Sequence, residues 1–386
     1  MSLKLGIGGL VPPFRVMDVI QAANQRAATL PQGVPKILRM EVGQPGTGLP
    51  HGARLAVEAA LKSGDPLGYT EVLGRTSLRA RISRHIAEWY GIEVPPTRIA
   101  VTIGASAAFP LAFLSCFTPG DKIALAAPYY PPYYNILVAL GFQPVVIPCG
   151  LETDFQPTVE ILKALPEQPD GLIIASPANP TGSMLAPATL EALCRYCDEA
   201  GIRLISDEIY HGLTYGKPQA SAAQFSQNAV TINSFSKYFS MTGWRVGWAV
   251  FPEPLIRVAE RLAASFFISA PFISQVAAEA ALDCRDELED RRTTYETARQ
   301  IVIDGLHEAG FSHFSPPDGA FYVYADIENR APDSLTFCAD LLARQGVATT
   351  PGLDFDAARG GRYFRLSYCA TLADVKDAMK RIKQMV

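Results

Sequence analysis

Histidine and tryptophan are scarce in this chain, with five and three residues among 386. So few histidines give little support to a His-centred metal site or catalytic triad. Cysteine is sparse and odd in number, at seven, which speaks against a disulfide scaffold and for reduced thiols. Cys194 and Cys197 form a CxxC, but Leu190–Ala200 has helical periodicity, and no second Cys or His pair follows at zinc spacing. Basic charge shows no excess: 34 Lys and Arg face 38 Asp and Glu, a net charge of -4. With no basic stripe either, a nucleic-acid partner is not expected. A long hydrophobic run is also missing. The longest charge-free apolar stretch, Leu262–Ala278, contains Pro271, Gln275 and three Ser. It falls short of the ~20 apolar residues of a bilayer span and reads as a buried helix. The Gly-rich start, closed by Pro12 and Pro13, lacks the apolar core of a secretory leader. A soluble, cytoplasmic protein without a membrane association is expected. Neither a complete GxGxxG, a Walker A, a GxSxG nor an HExxH occurs.

What the chain does have is apolar material and punctuation. Hydrophobic residues make up 48%, and 30 Gly and 30 Pro are dispersed along the chain, which reads as many turns between packed elements. The length suggests two domains. From about residue 99 to 250, β-rich runs alternate with helical patterns: Ile99–Ile103, Lys122–Ala126, Pro144–Ile147, Gly171–Ala175, Arg203–Ser206, Val230–Asn233 and Trp244–Val250. Several are apolar on both faces, as strands of a parallel sheet covered by helices are. The fold class is therefore α/β, with a mostly parallel seven-stranded sheet flanked by helices. After Asp283 the character changes. Leu288, Tyr295, Ala298, Val302 and Leu306 recur at helical spacing, Ala320–Asp326 and Tyr363–Ser367 read as strands, and Ala373–Met385 is an amphipathic helix. This is a smaller α+β unit. The expected division is 1–45 as a segment packing with the small domain, 46–282 as the large domain and 283–386 as the small C-terminal domain.

In an open α/β sheet, ligands gather beyond the carboxyl ends of the strands, and polar residues stand there in this sequence. Gly104-Ala105-Ser106 opens a helix after the first strand. The free N–H groups and dipole of that helix end could receive a phosphate, although an ordinary strand–turn–helix reads the same. Asn179 is set among prolines after Gly171–Ala175. Asp207 ends an apolar strand, where it could cap a helix or hold a cationic ligand nitrogen. Tyr210, three residues on, can reach the same site, whereas Glu208 should point elsewhere. Lys237 follows another strand, bracketed by serines and aromatics. Desolvated, such a lysine becomes a nucleophilic amine. Ser234 and Arg245 could complete a dianion cage.

The ordered set Gly-Ala-Ser (104–106), Asn-Pro-Thr-Gly (179–182), Asp-Glu-Ile-Tyr (207–210), Ser-Phe-Ser-Lys (234–237) and Gly-Trp-Arg (243–245) resembles the pyridoxal-phosphate-dependent aminotransferases of fold type I, class I/II. The resemblance runs from Glu41-Val-Gly43-Gln-Pro45 to Arg365-Leu-Ser-Tyr, most of the chain. It implies pyridoxal 5'-phosphate as cofactor and a Schiff base with Lys237, which then shuttles the proton. It implies that Asp207 pairs with the ring nitrogen, that Asn179 and Tyr210 bond the phenolic oxygen, and that Ala105, Ser106, Ser234 and Arg245 hold the phosphate. Tyr130 would stack on the ring, with Tyr129 as its rival. Arg365 would clamp the substrate carboxylate as a bidentate fork, close to Gly43. Tyr69 would reach the phosphate of a neighbouring subunit in a homodimer. The partners implied are an amino acid and a 2-oxo acid, in ping-pong turnover. Gln44, where the family often has Glu, and Ala107-Ala108 after the Gly-Ala-Ser turn bear on the substrate and leave the cofactor contacts intact.

Two other functions share these residues. A carbon–sulfur β-lyase of the same fold would need the same Lys237, Asp207 and Arg365. A cofactor-binding regulator would need a DNA-binding segment, and no basic segment is present. No Arg stands out to hold a distal carboxylate. The aromatics Phe14, Tyr129, Tyr130, Tyr133, Phe321 and Tyr322 suit an apolar substrate side chain, ring stacking or core packing equally.

Overall fold

A computed structural model describes residues 4–385; Met1–Leu3 and Val386, the outermost parts of the two terminal segments, lie outside it. All seven apolar runs become strands: β1 (Ile99–Thr102), β2 (Lys122–Ala127), β3 (Gln143–Pro148), β4 (Gly171–Ala175), β5 (Arg203–Asp207), β6 (Val230–Ser234) and β7 (Gly247–Val250). They form one sheet in the order β1-β7-β6-β5-β4-β2-β3. β7 runs antiparallel to β1 and β6, and the remaining pairs are parallel. The interior strands are buried nearly throughout, because helices cover both faces. β3 is the edge, partly exposed, and it carries Pro144 and Pro148, which an edge strand tolerates.

The reversed direction of β7 matters for the site. A strand antiparallel to its neighbours begins at the edge where they end. Arg245, two residues before β7, therefore joins the residues that follow the other strands. The seventh strand starts at Gly247, later than the expected Trp244. Thr242–Trp244 instead form a tight helical turn, and Arg245 takes a left-handed conformation at φ 51° that swings the chain into the sheet.

One further expectation is corrected. The apolar stretch Leu262–Ala278 is not one buried helix. It spans the end of the helix Glu253–Phe266 and most of the helix Phe272–Ala281. Between them Ile268 is left-handed and Pro271, lacking an N–H, cannot continue a helix; Phe266 and Ile268 are exposed. The N-terminal segment touches two parts of the molecule. Its helix Val16–Ala28 lies against the strands Val347–Ala348 and Thr350–Pro351, and its short strand Leu38–Arg39 runs parallel to Val347–Ala348. Its start, however, lies along the helix Pro131–Ala139, where Asn135 donates to the Pro12 carbonyl at 3.3 Å.

The C-terminal elements follow the sequence pattern closely. The five apolar positions after Asp283 are all buried on the helix Arg285–Glu308. That helix packs on Leu372–Met385, beside an antiparallel sheet of Tyr322–Asp326, Tyr363–Ser367 and Thr350–Pro351. Cys194 and Cys197 sit buried in the helix Pro187–Ala200 as free thiols. Burial pushes both up to about 12, which makes them packing residues. No helix among the described residues is long and apolar enough to cross a membrane, and no group of acidic, His and Cys side chains among them could hold a metal ion.

Candidate active site

The strand ends converge on two adjoining cavities that share Met17, Val42, Gly43, Tyr130, Ile209 and Lys237. One is lined by Ala105, Ser106, Ser234, Ser236 and Arg245. The other is lined by Asn179, Asp207, Tyr210, Tyr322, Glu41 and Arg365. Every cofactor or substrate residue expected from the sequence lines one of the two, with one exception: Tyr69 is 83% exposed and lines neither.

The first cavity has the chemistry of an anion cradle. Arg245 Nη2 lies 3.5 Å from the Ser106 hydroxyl, beside the N-terminus of the helix Ala105–Cys116 with its unbonded amides. Gly104 permits the close approach. It sits at φ 70°, ψ 169°, a region essentially reserved for glycine, and a Cβ there would meet Arg245 Nη2 at 2.7 Å.

The floor of the second cavity is acidic and buried. Asp207 receives the Tyr133 hydroxyl on Oδ2 and the Ile209 amide on Oδ1 at 3.1 Å. Burial raises its pKa to about 6, against the lowering effect of those two donors and of Lys237. A carboxylate held this way is relieved by a cation placed against it. Lys237 Nζ donates to the Gly43 carbonyl at 2.7 Å. Burial lowers its pKa to about 8, and the nearby Arg365 and Arg245 push in the same direction. Tyr210 shares a hydrogen bond of 2.8 Å with Tyr322. Glu208 turns away, as alternation along a strand requires, and is bonded by the Ser206 and Ser221 hydroxyls and the Ala222 amide.

Arg365 closes the far end. It is buried, with its guanidinium between the rings of Tyr322 and Phe355 at 4.7 Å from each. Nη1 donates to Asn179 Oδ1 at 2.8 Å, and Nη2 donates to the Glu41 carbonyl and to Thr350 Oγ1. Its Nε is buried without a partner, an orphan donor that suits an incoming carboxylate. Among the aromatics, Tyr130 faces the cavities, whereas Tyr129 lines neither and stacks on Tyr134.

The match with known proteins is now decisive. The profile of the family "Aminotransferase class I and II" covers residues 35–382.

The chain belongs to the class I and II aminotransferases.

It is 45% identical over 386 residues to a Mycobacterium tuberculosis protein named valine–pyruvate aminotransferase, covering 99% of this chain and 98% of that one. A solved structure of an aminotransferase from the same organism superposes with a TM-score of 0.96 at 45% identity, covering 99% of both chains. Aspartate aminotransferase from Thermus thermophilus, solved with maleate, gives 0.93 at 30% identity over 100% of both chains. Family and relatives make this aminotransferase a pyridoxal-phosphate enzyme that transfers an amino group from an α-amino acid to a 2-oxo acid, and they do not favour the lyase. Its own residues fit that cofactor: an anion cradle at one end, a buried carboxylate for a ring cation, and an amine of lowered pKa between them.

Several residues of the site carried no motif. Tyr133 lies three positions past Tyr130 on the helix Pro131–Ala139, a spacing that puts both on one face and could have pointed to it. Tyr322, weighed in the sequence only as one of several aromatics, reaches the cavity from the strand Tyr322–Asp326, and Glu41 reaches it from beside Gly43. Val16, Met17 and Ile20 reach it from the N-terminal helix, with Phe14 just ahead of them. These contacts form only on folding.

Proposed function

We propose that this aminotransferase acts on α-amino acids with an apolar side chain, with Lys237 as the amine that carries the cofactor and then moves the proton. The observation that carries the substrate class is the wall of the second cavity. Phe14, Val16, Met17 and Ile20 line it, and among the described residues its only cations are Lys237 and Arg365. Arg365 is suited to the α-carboxylate, which leaves no cation for a distal one. The carboxyl of Glu41, paired with Arg39 through Oε1 and with Oε2 buried and unpartnered, offers an acidic side chain no cation. The relative named for valine and pyruvate agrees with this reading.

The roles of the other residues follow from chemistry. Ser106, Ser234, Arg245 and the amides from Ala105 onward would hold the phosphate. Asp207 would keep the ring nitrogen protonated. Tyr130 would lie against the ring, while Asn179 and Tyr210 would bond its phenolic oxygen. Arg365, supported by Asn179 and near Gly43, would orient the substrate so that its Cα proton faces Lys237 Nζ. Pyridoxal phosphate supplies the aldehyde that takes up the amino group and a ring that accepts the electron pair released at Cα. We also take 46–282 and 283–386 as the large and small domains, with 1–45 bound mainly to the latter.

A homodimer in which Tyr69 serves the partner's phosphate is supported by the exposure of Tyr69, which lines neither cavity of its own chain, shortly after the exposed Leu55 and Leu61. A cytoplasmic location is supported by seven free thiols, which a reducing compartment preserves.

The test is spectroscopic. Cofactor-loaded enzyme is mixed with single amino acids, and conversion of the cofactor to its amine form is followed. Valine, leucine or alanine should convert it, and aspartate should not. Faster conversion by aspartate than by valine would overturn the substrate class. Pyruvate released from cystathionine without an acceptor would point to the lyase.

A further inference from the structure

We infer that Asp354 is a positioning residue for side-chain selectivity, latching the apolar wall of the cavity to the loop that holds Arg365. This rests on the apolar substrate class proposed above.

The wall comes from one short stretch, Phe14 to Ile20, where the chain enters the helix Val16–Ala28. That helix has no side-chain cap from Arg15, the residue just before it. Asp354, 339 residues from Arg15, takes that place. Its Oδ1 accepts the Arg15 amide at 2.7 Å and its Oδ2 the Val16 amide at 3.1 Å. The carboxylate is 9% exposed, and each of its oxygens is occupied by an amide of the wall segment. A carboxylate there also complements the positive end of the helix.

The loop that carries Asp354 is itself anchored on two other sides of the site. Thr350 accepts from Arg365 Nη2 at 3.1 Å, and the Phe355 ring lies under the guanidinium. The Phe355 carbonyl accepts the Tyr129 amide at 3.0 Å, next to Tyr130, whose ring meets Phe14 edge-on at 6.3 Å. Asp356 holds Arg359, which donates to the Ala127 and Cys149 carbonyls at the ends of β2 and β3. The loop is therefore fixed to the sheet and to Arg365. The wall is tied to this loop through Asp354. Further along, the helix has separate ties, from Arg39 to Asn24 and from Arg26 to the Ala343 carbonyl. Removing the Asp354 carboxylate should free the first turn and leave the rest of the helix in place.

A substrate side chain gains from an apolar wall only where the wall is held against it. Alanine, with a single methyl group, draws little on it. The experiment compares wild type, Asp354→Ala and Asp354→Asn as cofactor-loaded full chains. It measures kcat/KM for valine, leucine and alanine, and hydrogen exchange of the Arg15–Met17 amides. In Asp354→Ala the preference for leucine over alanine should fall by about tenfold, the scale of a pocket that loses grip on one or two methylenes. Turnover of alanine should stay within about threefold, and the three amides should exchange faster while the strand Tyr363–Ser367 does not. Asp354→Asn, which keeps one acceptor, should fall between. An unchanged leucine-to-alanine ratio, or an equal fall for both substrates, overturns the latch. If Asp354→Ala fails to fold, the same two outcomes in Asp354→Asn overturn it. A wild-type enzyme with no preference for an apolar side chain would overturn the substrate class instead, and protected amides in Asp354→Ala would then overturn the latch separately.

Discussion

The Tyr133 hydroxyl donates to Asp207 Oδ2 from the helix turn that follows Tyr130, while the Ile209 amide holds Oδ1. The carboxylate is thus steered from two sides before any ligand arrives. Burial raises its pKa and these two donors oppose that rise. Tyr133→Phe removes the first of these donors and leaves the ring packed on Phe109. A hydrogen bond to a charged group contributes about 1.5–3 kcal/mol, so kcat/KM should fall on the order of 10–100-fold. Asp207→Asn, which removes the charge itself, should cost more than Tyr133→Phe. Steady-state kinetics at matched cofactor loading checks both, with thermal unfolding as the control for fold.

Arg365 offers a second, separable test. Its planar fork is held by Asn179 and by the two rings at 4.7 Å. Lysine retains the charge but not the bidentate geometry or the stacking. Arg365→Lys should raise KM for the amino acid by roughly tenfold or more, the equivalent of about 1.4 kcal/mol. Cofactor affinity should change little, since the anion cradle with Arg245 lies at the other end. Titration of cofactor and of amino acid into the same variant separates the two ends of the site.

Much of this site is legible in the sequence because its residues follow strand ends. Asp207, Asn179, Ser234 and Lys237 each sit where a β-rich run stops, and the topology of an α/β sheet brings such positions together. Tyr133 is within reach of helical spacing. Glu41, Phe14 and Tyr322 are visible as residues but not as neighbours, and Asp354, Val16, Met17 and Ile20 are not visible at all, because nothing local ties residue 14 or residue 354 to residue 207. Their placement depends on how the elements after Asp283 and the N-terminal segment pack, and on a carboxylate that caps a helix 339 positions earlier in the chain. The later start of β7 has a local cause, the left-handed Arg245, a conformation that an arginine does not advertise.

Gly104 tests the cradle through the backbone. At φ 70°, ψ 169° any Cβ is strained, at a cost of about 1–3 kcal/mol, and it would also displace Arg245 Nη2. Gly104→Ala should therefore weaken cofactor binding by roughly 10–100-fold. Equilibrium dialysis against pyridoxal phosphate measures this directly. Gly243→Ala, where a Cβ meets nothing within 4 Å, should bind normally and serves as the control.

The amine of Lys237 should set the pH dependence of cofactor uptake. Only the neutral amine attacks a carbonyl. Burial disfavours the ammonium, so its pKa falls from 10.5 to about 8. The neutral fraction therefore rises as pH increases and is nearly complete above that midpoint, instead of requiring pH above 10. The rate at which cofactor-free protein takes up pyridoxal phosphate should climb about tenfold per pH unit below the midpoint and flatten above it. Arg365 is one of the cations that depress this pKa. Removing it in Arg365→Gln should move the midpoint upward, while Lys237→Ala should abolish covalent uptake at every pH. Stopped-flow absorbance between pH 6.5 and 9.5 reads both effects. A pH-independent uptake rate, or a midpoint that falls in Arg365→Gln, would contradict the electrostatic account of this lysine.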